Sequence, residues 1–119
     1  MTLVFVYGTL KRGGSNHSFL AGQSFVAEAR TAPGYTLYEL SGYPGMVPGG
    51  DAGCFVKGEV WSVDAACLER LDALEGTGEG LYRREAVPLE EPFAGRNVEA
   101  YIYLKGVEGR RRIGDTWTG

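Results

Sequence analysis

VFVYGTLKRGG occupies residues 4–14, and the interpretation of the whole chain starts from this segment. Its first residues are β-branched or aromatic, which predicts a strand, and glycines at positions 8, 13 and 14 end that strand. Because Gly8 has no Cβ, the main chain can come close to a ligand there, and consecutive N–H groups in a turn form a concavity that suits a carboxylate or an oxyanion. The segment therefore predicts an N-terminal strand that leads into a loop able to bind an anionic group through its backbone.

Length and composition limit the class of protein. The 119 residues predict one domain, residues 1–119, with a core large enough to be stable without disulfides. The 19 glycines and 12% aromatic residues favour a mixed or β-dominated fold over a helical bundle. A net charge of −3 and a pI near 5.2 argue against nucleic-acid and membrane partners. No apolar run approaches the roughly 18 residues of a spanning helix, and the N-terminal apolar run lacks signal-peptide features, so we expect a cytoplasmic protein.

The cysteines and the histidine indicate neither a metal centre nor a nucleophile. Cys54 and Cys67 lack CxxC spacing, and His17 is the only histidine. We expect both cysteines to be buried thiols, and the absence of a second histidine leaves a Ser or Cys triad without support. His17 is expected to fix the N-terminal loop through a hydrogen bond, with a role in positioning a substrate as the alternative. No metal and no cofactor is expected.

Further secondary structure follows from alternation and from turn residues. Strands are predicted over residues 24–30, 35–40, 55–63, 82–89 and 98–105. A helix of about two turns is predicted over residues 15–22, and an ordered loop over the Gly- and Pro-rich residues 41–50. Alternation divides the last strand into two faces, Val98, Ala100, Ile102 and Leu104 on one and Glu99, Tyr101 and Tyr103 on the other.

One helix is predicted with both of its ends defined. Asp64 is its N-cap and Gly76 its C-terminal stop. At about 100° per residue, its buried face comprises Cys67, Leu68, Leu71 and Leu74. The acidic residues Glu69 and Asp72 are predicted to point away or to lie at the margin of that face.

Glu75 differs from the other acidic residues of this helix. It lies four residues after Leu71 and seven after Leu68, which places its carboxyl on the buried face. A carboxyl that is desolvated there has a raised pKa and is a candidate acid or base. The alternatives are that the last turn frays and Glu75 reaches solvent, or that Glu75 forms an ion pair with Arg83 or Arg84.

Short segments spread over almost the whole chain provide a second kind of evidence. They are Tyr7-Gly8-Thr9-Leu10, Tyr43-Pro44-Gly45-Met46, Gly58-Glu59-Val60-Trp61, Leu71-Asp72-Ala73-Leu74-Glu75-Gly76 and Leu81-Tyr82-Arg83-Arg84. In this order and spacing they resemble the gamma-glutamylcyclotransferase-like family. The N-terminal segment, followed by Asn16 and His17, looks most like its gamma-glutamylamine cyclotransferase branch.

The resemblance implies a fold and a set of site residues. The fold is α+β, a small mixed β-barrel with short flanking helices and a pocket at the barrel mouth. Glu75 is implied as the catalytic acid/base, with Arg84 as structural support beside it. The implied substrate-binding residues are Tyr7, Gly8, Thr9, Leu10, Tyr43, Tyr82 and Tyr103. Tyr101 competes with Tyr103 for the last of these places.

The implied activity is the release of 5-oxoproline and a free amine from a gamma-glutamyl amine or peptide. The α-amine of the substrate attacks its own γ-carbonyl while Glu75 transfers the protons. One alternative is a non-catalytic module that binds gamma-glutamyl or 5-oxoproline-like molecules. A phosphate loop at residues 8–14 is a second alternative, but it lacks the Gly-Lys-Ser/Thr ending. The expected partner is a small molecule, and monomer and dimer remain open.

Overall fold

The protein packs one α-helix against a curled β-sheet. The computed structural model describes residues 1–50 and 54–118. Its strands are β1 (Thr2–Val6), β2 (Ser24–Arg30), β3 (Tyr35–Glu39), β4 (Pro44–Pro48), β5 (Lys57–Val63), β6 (Tyr82–Ala86), β7 (Val98–Tyr103) and β8 (Arg111–Arg112). The helix α1 spans Ala65–Glu75, and 3-10 turns span His17–Leu20 and Thr77–Glu79. Within residues 1–50 and 54–118, no helix is long and apolar enough to cross a membrane.

Strand β7 organises the sheet because three strands pair with it. The order along the sheet is β2-β5-β1-β7-β4-β3-β8, and β6 pairs with β7 in addition. Strand β1 runs parallel to the start of β7, with Leu3 opposite Val98, and β4 runs parallel to its end, with Met46 opposite Ile102. The antiparallel β6 covers the other edge of β7 from Glu99 to Tyr103. The predicted α+β fold with a mixed sheet is confirmed, and the sheet has the form of a half-barrel.

Two hydrophobic clusters pack against this sheet, and alternation along β7 assigns its side chains to them. Val98, Ala100 and Ile102 belong to one cluster, whereas Tyr101 and Tyr103 belong to the cluster that contains the helix residues Cys67 and Leu71. The predicted division of this strand into two faces is therefore confirmed. Leu104 departs from the prediction, since the strand ends at Tyr103 and Leu104 is 42% exposed.

The hydroxyl of Tyr7 completes the sheet at the point where β1 ends. It donates a 2.6 Å hydrogen bond to the carbonyl of Tyr101 in β7 and accepts a 3.2 Å bond from the N–H of Met46 in β4. A side chain thus links β4 and β7, which pair with each other through their backbones at one position, Met46 with Ile102. Since Tyr7 is buried, both of these hydrogen bonds lie in the interior of the protein.

Both ends of α1 form as predicted. The carboxylate of Asp64 accepts a 2.8 Å bond from the N–H of Cys67, which satisfies one free donor of the first turn. At the other end Gly76 adopts the left-handed conformation, with φ of 68°, and its N–H donates back into the last turn. The last turn therefore does not fray, and the orientation of Glu75 is defined.

Three other predictions about local structure are wrong. The segment predicted as a loop over residues 41–50 contains β4, which forms a hairpin with β3. Its prolines, Pro44 and Pro48, are the first and last strand residues, where a missing N–H is tolerated. The strand predicted over residues 82–89 ends at Ala86, ahead of Pro88. The helix predicted over residues 15–22 is one 3-10 turn, and the side chain of Asn16 does not cap it.

The bridge made by Tyr7 predicts a large effect of a small change. Tyr7→Phe removes one oxygen and, with it, the two interior hydrogen bonds to the Tyr101 carbonyl and the Met46 N–H. We expect the free energy of unfolding, measured by urea denaturation, to fall by about 1–3 kcal/mol. Tyr38→Phe is the matched control, because the Tyr38 hydroxyl bonds to no residue within 1–50 or 54–118. A loss no larger than that of the control would contradict the role given to the Tyr7 hydroxyl.

Candidate active site

A cavity of about 380 Å³ lies where the C-terminal end of α1 faces the loop after β1. Its lining residues come from β1 and the loop after it, from α1 and the residues after it, from the start of β4 and the residues before it, and from β6 and β7. They are Phe5, Val6, Tyr7, Gly8, Thr9, Leu10, Asn16, Gly42, Tyr43, Pro44, Leu74, Glu75, Leu81, Tyr82 and Tyr101. Every residue predicted for the site is therefore in the lining except Tyr103.

The structure places Tyr101, and not Tyr103, in the cavity. Tyr103 packs edge-on against Tyr82, with ring centroids 5.3 Å apart, and its ring crowds Gly45. Both tyrosines point to the same face of β7, so alternation alone could not separate them. The assignment of Tyr103 to the pocket is corrected, and its contacts are those of a side chain that supports the Tyr82 wall.

Glu75 is the only charged side chain in the lining and has no ion-pair partner among residues 1–50 and 54–118. The two arginines considered as partners are engaged elsewhere, Arg83 with Glu85 and Arg84 with Asp72 and Glu99. Glu75 is half-buried, and burial raises its pKa to about 7. A carboxyl with this pKa is present in both protonation states near neutral pH, which suits a group that accepts and then returns a proton.

Three phenol rings surround this carboxyl. Burial raises the pKa of Tyr7, Tyr82 and Tyr101, and the negative charge of Glu75 adds to the increase. Their hydroxyl protons are committed to the protein, since Tyr7 donates to Tyr101, Tyr82 to the carbonyl of Pro44 at 2.8 Å, and Tyr101 to Asp72 at 2.7 Å. These three phenols therefore stay neutral, whereas Glu75, with a pKa of about 7, exchanges its proton near neutral pH.

The loop opposite Glu75 presents backbone donors. Within the described part of the chain, the N–H groups of Gly8, Thr9 and Leu10 donate to no acceptor. The carbonyls of these three residues, in contrast, are used: Lys11 and Asn16 donate to Gly8 and Thr9 through their N–H groups, and His17 Nδ1 lies 3.0 Å from the Leu10 carbonyl. Free donors that line a cavity are available to an anionic ligand.

Two glycines allow this loop to adopt its shape. A Cβ on Gly8 would lie 2.5 Å from the ring of Pro44, so the loop can pack against β4 only without a side chain there. A Cβ on Gly14 would lie 2.3 Å from the carbonyl of Thr9. The lack of a Cβ at Gly8 predicts that a ligand can approach the backbone there. The structure adds that Gly8 also admits Pro44.

An ion-pair network beside the cavity was missed by the sequence analysis. Arg84 donates two hydrogen bonds to the carboxylate of Asp72, at 2.9 and 3.1 Å, and a third to Glu99. Asp72 also accepts the Tyr101 hydroxyl, so one carboxylate on α1 is held by β6 and β7 together. Asp72 was placed at the margin of the helix. Its partners Arg84 and Tyr101 belong to distant segments of the chain. The one signal in the sequence is that Arg84 lies on the same face of β6 as Tyr82, and Tyr101 on the same face of β7 as Tyr103.

The remaining candidates lie outside the cavity. His17 contacts the loop through the Leu10 carbonyl, which can only accept, so Nδ1 carries the proton, and its ring packs against Trp61. Cys67 is buried beneath α1, as expected. Cys54 is not fully buried, because its thiol lies against the guanidinium of Arg112 at the surface. Within residues 1–50 and 54–118, no three His, Cys, Asp or Glu side chains form a metal-binding group.

Comparisons with known proteins show which sequences and folds this chain resembles. A family model described as gamma-glutamyl cyclotransferase, AIG2-like, matches residues 4–118. A Vibrio cholerae protein that carries a gamma-glutamylcyclotransferase name is 43% identical over 102 residues, covering 86% of this chain and 80% of that protein. Human gamma-glutamylaminecyclotransferase is 35% identical, covering 88% of this chain and 79% of that protein. The crystal structure of an uncharacterized protein from Pyrococcus horikoshii superposes with a TM-score of 0.77 and 31% identity, covering 96% and 86% of the two chains.

The raised pKa of Glu75 predicts that stability depends on pH. With a pKa of about 7 in the folded protein against an ordinary 4.5, Glu75 binds more protons when folded. Its contribution to the free energy of unfolding is therefore complete below the ordinary pKa and is lost as the pH rises through the folded pKa. Glu75→Gln does not titrate, so the stability of the variant relative to wild type should rise by about 1–3 kcal/mol between about pH 5 and pH 8.

Urea denaturation of both proteins at the two pH values measures this difference. Glu79→Gln is the control, because Glu79 is an exposed carboxyl in the next turn of the chain. An equal difference between Glu75→Gln and wild type at both pH values would show that the carboxyl is not desolvated.

Proposed function

Because this chain belongs to the gamma-glutamyl cyclotransferase, AIG2-like, family, we propose that it is an enzyme that releases 5-oxoproline and a free amine from a gamma-glutamyl amine or peptide. The observation that carries the proposal is the pairing of one half-buried carboxyl, Glu75, with a loop of free N–H donors across an otherwise uncharged cavity. This arrangement provides a proton-transfer group and an anion site, and the substrate provides the nucleophile.

The charges of the cavity match those of a gamma-glutamyl group. Such a substrate carries an α-carboxylate and an α-ammonium on one carbon. None of the lining residues that the structure describes is a cation, so the N–H groups of Gly8, Thr9 and Leu10 are the donors available to the carboxylate. The carboxylate of Glu75 is the acceptor available to the ammonium. Apolar side chains, among them Leu74 and Leu81, leave the uncharged γ-amide in contact with apolar surface.

The reaction needs one group that moves a proton twice. Glu75, as the carboxylate, takes a proton from the α-ammonium, and the free amine attacks the γ-carbonyl carbon to form the five-membered ring. The bond from that carbon to the leaving nitrogen then breaks, and the Glu75 carboxyl gives its proton to the departing amine. The ring nitrogen still carries one extra proton, which the regenerated Glu75 carboxylate removes and passes to the released amine or to water, so that Glu75 returns to its starting form. A pKa of about 7 allows these transfers near neutral pH. Fixing the substrate in a folded conformation contributes further through proximity.

No enzyme nucleophile is required, and the cavity supplies no serine or cysteine. Within the described part of the chain, neither residue type is in the lining, and Cys67 is buried under α1. The hydroxyl of Thr9 already accepts a 3.0 Å bond from the Asn16 amide. A non-catalytic binding module, the alternative, would explain the free N–H groups of the loop at Gly8, Thr9 and Leu10. It would give no reason for a carboxyl with a raised pKa inside the cavity.

The first test is product release by wild type and by Glu75→Gln. We expect wild type to form 5-oxoproline from some members of a panel of gamma-glutamyl amines, gamma-glutamyl dipeptides and gamma-glutamyl-ε-lysine, measured by mass spectrometry. Loss of the acid/base group should reduce kcat by about 100-fold or more. Glu79→Gln, which changes an exposed carboxyl in the same way, should retain wild-type activity.

Binding without turnover is the outcome that favours the alternative. If wild type binds 5-oxoproline and releases none from any substrate, the protein is a binding module. If Glu75→Gln is folded and as active as wild type, Glu75 is not the acid/base.

The pH dependence gives a second test. The carboxylate form of Glu75 is the base, so kcat/KM should rise with pH through a midpoint near its pKa of about 7. The residual activity of Glu75→Gln should lack this rise. A wild-type profile that is flat between about pH 5 and pH 8 would contradict a base that titrates near neutral pH.

A further inference from the structure

Glu59 is a buried charge that the proposed mechanism does not use. Within residues 1–50 and 54–118 it is the one charged residue that is buried, at 7% exposure, and it is not part of the cavity lining. A carboxylate in this position is costly unless its oxygens are well bonded. Its partners therefore indicate what the charge is retained for.

Both oxygens of Glu59 are directed at the end of the cavity loop. Oε1 accepts the N–H of Arg12 at 3.1 Å and the indole N–H of Trp61 at 3.1 Å, and Oε2 accepts Nε of Arg12 at 3.0 Å. Burial alone would raise the pKa of Glu59, but these donors and the charge of Arg12 outweigh it and lower the pKa. Glu59 is therefore ionised near neutral pH.

Glu59 lies on β5 beside the start of the cavity loop. Strand pairing places Glu59 directly opposite Val6, the last residue of β1, where the loop begins. Its side chain holds Arg12, just beyond the donors of Gly8, Thr9 and Leu10. One residue thus holds the segment between Val6 and Arg12 at both ends, by its backbone at one and by its carboxylate at the other.

We propose that Glu59 is a positioning residue, which holds the N–H groups of Gly8, Thr9 and Leu10 toward the cavity so that they can bind the substrate's carboxylate. The inference rests on the proposed function of the cavity. Glu59 acts only through the loop, since Arg12 and Trp61 occupy its oxygens. The two carboxylates then have different roles: Glu75 transfers protons, and Glu59 holds the loop that binds the substrate's carboxylate.

The exposed partner of Arg12 provides a matched control. Arg12 also donates a 3.2 Å bond to Glu28, whose side chain is 79% exposed, whereas that of Glu59 is 9% exposed. Glu59→Gln and Glu28→Gln are the same chemical change on the same arginine, one at the buried anchor and the other at the surface. Only the first should affect the loop.

The experiment measures kinetics and amide hydrogen exchange on the same folded proteins. For Glu59→Gln we expect KM for a gamma-glutamyl amide to rise about tenfold with a much smaller change in kcat. Exchange at residues 7–11 should be about fivefold faster or more. Glu28→Gln should match wild type in both measurements. If Glu59→Gln does not fold, Arg12→Gln removes the guanidinium from the half-exposed side of the same anchor and should change KM and exchange in the same direction.

The outcomes distinguish this inference from the function on which it rests. An unchanged KM and unchanged exchange at residues 7–11 in a folded Glu59→Gln would overturn it, as would an equal effect in Glu28→Gln. A fall in thermal stability with KM unchanged would assign Glu59 a purely structural role and would also overturn it. If wild type releases no 5-oxoproline, the proposed function and the binding role of the loop both fail, and the exchange data still decide whether Glu59 holds the loop.

Discussion

The hydrogen bonds of the Tyr7 hydroxyl are the interaction on which the fold and the site both depend. One edge of β7 pairs first with β1 and then, further along, with β4. The sheet therefore branches where β1 ends. The phenol of Tyr7 joins Tyr101 and Met46 across that branch point. Tyr7 is also the first residue after β1, so these bonds lie where the cavity loop starts, beside the contact between Gly8 and Pro44. The cavity is thus formed by the same residues that close the sheet.

The cavity combines the carboxyl of Glu75 with uncharged groups. Within residues 1–50 and 54–118, Glu75 is the one charged side chain of its lining, and burial together with that charge keeps the phenols of Tyr7 and Tyr82 neutral. Its counterpart is a set of backbone N–H groups, which carry partial charge without a side chain that would need its own partner. The full charges lie outside, in the Asp72–Arg84–Glu99 network on one side and the Glu59–Arg12 pair on the other. These ion pairs hold the helix and the loop, while the interior of the cavity retains its low polarity and hence the raised pKa of Glu75.

Local signals in the sequence were sufficient for the helix and for the position of its last residue. Asp64 and Gly76 define the ends of α1, and the helical period alone placed Glu75 on the buried side. Contacts between distant segments were not predictable in this way. Strand β4 was not predicted because it contains two prolines, which usually argue against a strand. They lie at positions where β3 needs no N–H donor from β4, and this depends on the register between the two strands. Tyr101 and Tyr103 share a face, and the choice between them depends on the path of α1 over β7. Asp72 and Glu59 were not singled out as anchors, because their partners are 12 and 47 residues away.

The most direct test is a crystal structure of the Glu75→Gln variant with a bound gamma-glutamyl amide. We expect the α-amino nitrogen to lie about 3 Å from the side chain at position 75, within hydrogen-bond reach. We also expect the α-carboxylate to lie on the N–H groups of Gly8, Thr9 and Leu10, and the γ-carbonyl carbon to lie within reach of that nitrogen. A substrate bound in the reverse direction, with its α-carboxylate away from the loop and its amine away from position 75, would contradict this expectation.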